Sequence, residues 1–224
     1  MKIEARFRRR AETSESPLEL NGILLNRLSR VPGLWKDSRV VFDAYFDAGQ
    51  GESAATDLSP CLVEGIKGAI SYASRLPGAL ADKAISDDIL VIQLDTNTSS
   101  YRWLRREVFP ELVRAFDPYR AVVVTDLEQD LDDFEGIVNE STRTGRDVDG
   151  RDTVFRIHPI NYFDSAMCVR AFGLSVDEVI RRLAGFIPCA EHLQSGALLV
   201  ICEEPIRGEQ LIAVGTSIRQ RLIA

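Results

Sequence analysis

Several kinds of residue and pattern are scarce in this 224-residue chain, and each scarcity removes a class of function. There are two histidines, His158 and His192, and four cysteines, at 61, 168, 189 and 202. No two cysteines have C-x-x-C spacing, so zinc-knuckle and thioredoxin-type motifs are absent. Cys61, Cys168 and Cys202 each neighbour apolar residues, and the cysteines are expected to be small, reduced core side chains. No apolar run approaches the roughly 20 residues a membrane helix needs; the longest, Ala197 to Cys202, is strand-sized. The opening "MKIEARFRRR" carries charge but no apolar segment, so it does not read as a secretory signal. The expectation is a cytosolic protein. Basic charge is also in deficit. Lys and Arg number 27 against 34 Asp and Glu, for a formal charge of −7, which argues against direct nucleic-acid binding.

The deficit is concentrated. "TDLEQDLDDFEGIVNE", Thr125 to Glu140, holds seven carboxylates and no base. Surface helices usually interleave signs for i,i+4 pairing, and close like charges repel by a few tenths of a kcal/mol per pair. Leu127, Leu131, Phe134 and Val138 recur at spacings of four, three and four. This predicts an amphipathic helix with those four side chains on the core and the acids in water. A calcium loop fits poorly: Asp126, Glu128 and Asp130 match its first three ligands, but Leu131 stands where glycine is required.

Around this stretch, hydrophobic periodicity gives a coarse order of elements. Lys2 to Arg8 alternates as a half-buried strand. Ser16-Pro17-Leu18-Glu19 is a capping box opening a helix to about Arg30, with Leu20, Ile23, Leu24 and Leu28 inward. Strands are expected at 39–46, 89–94, 120–125, 153–158 and 197–202. Helices are expected from Ser59-Pro60 (Leu62, Ile66 and Ile70 inward), from Tyr101 to Phe116 with a kink at Pro110, at 164–172, from Ser175 to Gly185, at 188–194, and in the tail carrying Leu211, Val214, Ile218 and Leu222. The fold class is therefore α/β, with α+β possible. One domain is expected, with a mixed β-sheet of about five or six strands flanked by helices; the stretch 145–152 is the place where two lobes would divide.

Enzyme signatures are weak. "GQGES" at 49–53 lacks the Gly-Lys-Ser/Thr ending of a phosphate loop, and no Gly-x-Ser-x-Gly elbow occurs. Cys189 and His192 would form a dyad only if folding brings them together. Asp95 and Asp126 follow apolar strands, where α/β enzymes place functional groups. A small α/β enzyme with a carboxylate site near those two residues is the alternative reading. No cofactor, metal site or catalytic set is expected.

A layout of segments carries a resemblance. "RFRRR" ends the first strand and "GLW" follows the first helix. "FDPYRAVVV", "HPINYFD" and "HLQSGALLVICEEP" come in that order, and "IRQRL" closes the last helix. This resembles the immunity protein 52 family of bacterial polymorphic toxin systems. The likeness runs over most of the chain and is closest over 196–222, with little from 47–90. Phe116-Asp117-Pro118 stands where a Trp-Asp-Pro turn is expected, and Phe7 where a Trp is. The resemblance implies a non-enzymatic antitoxin that binds a cognate toxin with a restriction-endonuclease-like domain, delivered by a type VI or related secretion system. Asp126, Glu128, Asp130, Asp132, Asp133 and Glu135 are the expected toxin-contacting residues.

Overall fold

A computed structural model describes residues 1–37, 45–47, 54–95 and 101–223. The strand expected at 39–46 and the loop "GQGES" lie wholly or mostly outside the described residues. The chain divides into two compact units, Met1–Pro118 and Tyr119–Ala224, earlier than the 145–152 stretch.

The first unit holds five strands: β1 (Lys2–Arg10), β2 (Tyr45–Asp47), β3 (Ala54–Asp57), β4 (Ile66–Tyr72) and β5 (Asp87–Asp95), in the order β2-β3-β4-β5-β1. Each neighbouring pair is antiparallel. The register of β1 on β5 sets Arg10 opposite Asp87, Arg9 opposite Asp88 and Lys2 opposite Asp95. The run of arginines thus meets an acidic strand end, which favours this register over a slipped one. Asp88 is fully buried; it accepts from Arg75 Nη2 at 2.7 Å, Arg9 Nη1 at 3.2 Å and the Ala73 amide at 3.0 Å. Helix α1 (Pro17–Leu28) begins at the Ser16 cap and buries Leu20, Asn21, Leu24, Leu25 and Leu28. Ile23, expected inward, is about half exposed. Buried Asn21 is satisfied by Thr56 Oγ1 at 2.7 Å and Tyr72 OH at 2.9 Å, both donating to its Oδ1. Trp35 closes the helix end, its Nε1 donating to the Leu28 carbonyl at 2.7 Å.

The helix expected from Ser59 is instead strand β4. Leu62, Ile66 and Ile70 are four apart, and four is a multiple of the strand period as well as close to one helical turn. The intervening residues decide the matter: Ile66, Gly68, Ile70 and Tyr72 are buried, while Lys67, Ala69 and Ser71 are exposed. Ser59 caps no helix. Its hydroxyl contacts both the Gly68 carbonyl and the Gly68 amide at 3.2 Å, closing the turn into β4.

The segment from Tyr101 to Phe116 is helical as expected, but in three pieces: α2 (Tyr101–Trp103), a π-turn (Leu104–Val108) and α3 (Phe109–Phe116). Pro110 has no amide to donate and its ring crowds the preceding turn. The chain widens there, the Phe109 amide reaching five residues back to the Leu104 carbonyl. Phe109 stacks on Phe7 with ring centroids 5.2 Å apart.

The second unit holds β6 (Arg120–Val124), β7 (Ile160–Phe163), β8 (Cys189–Leu193) and β9 (Gly196–Val200), in the order β6-β7-β9-β8, again antiparallel throughout. The described residues therefore form nine strands, more than the five or six expected, and within each unit the pairing is antiparallel rather than mixed. Helices α4 (Leu127–Thr144), α5 (Ser165–Phe172), α6 (Val176–Leu183) and α7 (Gly208–Ile223) complete it. Its core gathers Phe163, Met167, Cys168, Val179, Leu183, Leu199, Ile218 and Leu222. Helix α5 starts where expected, with Asp164 as its cap, and α6 starts at the expected cap Ser175.

Two expectations fail here. Residues 188–194 form β8, half of a hairpin whose two-residue turn, Gln194-Ser195, opens at a left-handed φ of 50°. Residues 153–158 are not a strand, because their donors go to side chains. The Phe155 amide binds Asp149 Oδ1 at 3.0 Å, and the His158 amide binds Asn161 Oδ1 at 3.0 Å.

Candidate protein-binding surface on the acidic helix

Helix α4 forms where expected and is firmly ended. Asp126 is its N-cap, accepting from the Gln129 amide at 3.2 Å and, from across the unit, the Gly208 amide at 2.9 Å. The Gly208 bond, aided by the Gln129 bond, holds the Asp126 carboxyl below the usual carboxylate range. Gly145, at φ 69°, ends the helix in the left-handed conformation.

Its orientation is the opposite of the one expected. No residue of α4 is buried. Leu131 is 74% exposed, Phe134 66% and Val138 44%. The apolar seam exists, since 131, 134 and 138 share one stripe, but it faces water; of the four residues expected inward, Leu127 in the first turn is half-buried. The inward side is mostly polar: Gln129, Asp130, Asp133, Gly136, Ile137, Glu140 and Ser141 are half-buried. Asp133 anchors it. Its carboxylate is gripped by Arg156, with Nη2 to Oδ1 at 2.6 Å, and receives Gln129 Nε2 at 3.0 Å. The two partners' side chains are only 10% and 15% exposed. Gly136 lets the helix approach the Phe155 ring; a Cβ there would lie 3.3 Å from Phe155 Cζ. At the far end the Val148 amide donates to Ser141 Oγ at 3.3 Å.

The six expected contact residues therefore separate by role. Asp126 caps the helix and Asp133 ties it down. Asp130 is half-buried. Glu128, Asp132 and Glu135 are exposed. With 3.6 residues per turn, these three form an acidic stripe alongside the apolar one. The outward half of α4 is thus part carboxylate and part hydrocarbon. A side chain outside the acidic run, Arg156, completes the arrangement. Sequence reading missed it because the partner lies 23 residues away across an irregular segment.

Other sequence candidates are placed as follows. Cys189 and His192 are three apart on β8 and so project to opposite faces, which removes the dyad. His192 Nε2 instead lies 2.9 Å from Asp177 Oδ1 on the surface. Asp95, at the end of β5, lies 3.6 Å from the Met1 ammonium. Beside α4, a cleft of about 140 Å3 runs between Phe155–Ile157 and Leu211, Ile212, Gly215, Thr216 and Arg219 of α7. Asp149, at φ 56°, is half-buried; desolvation alone would raise its carboxyl, but the Arg120 guanidinium at 2.5 Å holds it low. Among the described residues no group of three or more His, Cys, Asp or Glu is placed to hold a metal ion, and no helix is long and apolar enough to cross a membrane.

Fold and surface together define a mixed α/β protein of antiparallel open-sheet type that presents a half-acidic, half-apolar helix. No family model and no curated protein matches the chain. Among solved structures it is similar to Pseudomonas aeruginosa T6SS protein PA0821, with a TM-score of 0.53 and 9% sequence identity, over 98% of this chain and 72% of that one. At that identity the likeness is one of fold.

Proposed function

We propose that this chain is a cytoplasmic immunity protein of a type VI or related secretion system, which binds and neutralises a cognate nuclease toxin. It acts by occupancy and not by catalysis. The outward carboxylates Glu128, Asp132 and Glu135 carry the reading, because they stand in a sixteen-residue stretch without a single base. A DNA-cleaving toxin must present positive charge to phosphates. An acidic helix complements such a surface and speeds encounter toward roughly 10⁸ M⁻¹s⁻¹ at low salt. The fold likeness to a T6SS protein is compatible with the same setting, and the order of segments resembles the immunity protein 52 family. Asp126 and Asp133 contribute by holding the helix, and Asp130 borders the contact.

The experiment is co-expression with the adjacent gene product as the candidate toxin, followed by pull-down at physiological salt and a growth-protection assay. Stable co-purification and survival are expected. A toxin that neither binds nor is restrained refutes the reading.

A further inference from the structure

We propose that the outward apolar stripe of α4, Leu131, Phe134 and Val138, is the docking ridge for a protein partner that offers an apolar recess bordered by Lys and Arg. The proposal deepens the immunity reading, on which it rests for the partner's identity.

The three residues stand at i, i+3 and i+7, the spacing by which a helix seats its anchors in a groove. They span about 10 Å of helix axis at 1.5 Å per residue. None is used to hold α4 in place; that is done by Asp126, Asp133, Gly136 and Ser141. The capped and tethered helix is preorganised, so little ordering opposes binding. A large aromatic among aliphatics is the usual composition of an interface anchor, and a polar rim around it excludes water.

Charge selects the occupant. Glu128, Asp132 and Glu135 flank the stripe on one side and Asp130 borders the other. A second copy docking ridge to ridge would stack carboxylate on carboxylate. Anionic lipid and nucleic acid are repelled for the same reason. A basic rim around an apolar recess satisfies both halves of the surface at once.

The test uses the full chain and two probes. The first is a synthetic helical-hairpin peptide whose inter-helix groove is lined with leucines and rimmed with lysines, followed by fluorescence anisotropy. Wild type is expected to bind it, and Phe134→Ser and Leu131→Ser are each expected to weaken binding at least about tenfold. The triple change Glu128→Lys, Asp132→Lys and Glu135→Lys should also weaken binding and abolish its salt dependence. Unchanged circular dichroism in the two serine variants would exclude unfolding. No peptide binding, or equal binding by wild type and Phe134→Ser, overturns the proposal. The second probe is the co-purified toxin. Toxin capture that is indifferent to Phe134→Ser overturns the ridge and leaves the immunity reading standing. Failure of wild type to capture toxin overturns the immunity reading, and the peptide result then decides the ridge alone. Self-association of the chain that Phe134→Ser abolishes would assign the stripe to a second copy and overturn the proposal.

Discussion

Asp133 and Phe134 are neighbours in sequence about 100° apart on α4, one turned inward and the other to water, and exchanging each for a small residue separates the observed orientation from its reverse. Phe134 is 66% exposed, so only about a third of a ring worth on the order of 200 Å2 leaves water on folding. At about 25 cal/mol per Å2, Phe134→Ser costs at most about 1.7 kcal/mol, and less against a compact denatured chain. An inward Phe134 would cost about 3–5 kcal/mol. Asp133→Ala strips the partner from Arg156, whose side chain is 15% exposed, and removes an acceptor from Gln129. Breaking a fully buried pair costs about 3–5 kcal/mol and breaking an exposed one under 1. This half-buried pair falls near 2 kcal/mol after alanine's gain in helix propensity. Native-state hydrogen exchange of the α4 amides measures both changes locally. The larger loss of protection is expected for Asp133→Ala. A loss of 3 kcal/mol or more for Phe134→Ser, with Asp133→Ala silent, would refute the outward stripe and the surface built on it.

The remaining predictions concern the cap, a glycine and the thiols. Asp126 has its folded value depressed by the Gly208 and Gln129 amides, so its contribution is full above the ordinary aspartate value near 4 and is lost as pH falls through the lower folded value. Protection of the first turn of α4 should therefore decline below about pH 4 in wild type, and Asp126→Ala should cost about 1 kcal/mol at neutral pH and remove that decline. A Cβ at Gly68 would lie 2.6 Å from Ile92 Cδ1 and 3.1 Å from the Val91 carbonyl. Gly68→Ala should destabilise by about 1–3 kcal/mol in a urea melt. Burial pushes the Cys168 thiol up to about 12 and also raises Cys202. Brief iodoacetamide treatment at pH 8, read by mass spectrometry, should modify the half-exposed Cys189 first and spare Cys168 until the chain unfolds.

What the sequence made legible was whatever depends on near neighbours. The caps at Ser16, Asp164 and Ser175 sit three residues before the amides they receive, and all three helices start there. The apolar runs at 120–124 and 197–200 are strands buried on both faces, and the run at 89–94 is a strand that buries Leu90, Ile92 and Leu94 on one face. Period failed where four-residue spacing suits helix and strand alike, at Leu62, Ile66 and Ile70. It failed again at 188–194, where a two-residue turn and the following Gly196 were the better guide. The acidic helix shows a third limit. Its boundaries and its apolar stripe were both readable, yet its rotation was not. Which side faces inward is settled by Arg156 meeting Asp133 and Gly208 meeting Asp126, contacts that span 23 and 82 residues.

The division of labour around α4 has an evolutionary consequence. Side chains that the interior does not touch can change identity while the sheets, caps and tether keep the scaffold intact. Leu131, Phe134, Glu128 and Asp132 are such positions, and each can be rewritten with little thermodynamic risk. Any change in a protein that meets this face could then be followed by substitutions on a single helical turn or two, with no repacking elsewhere.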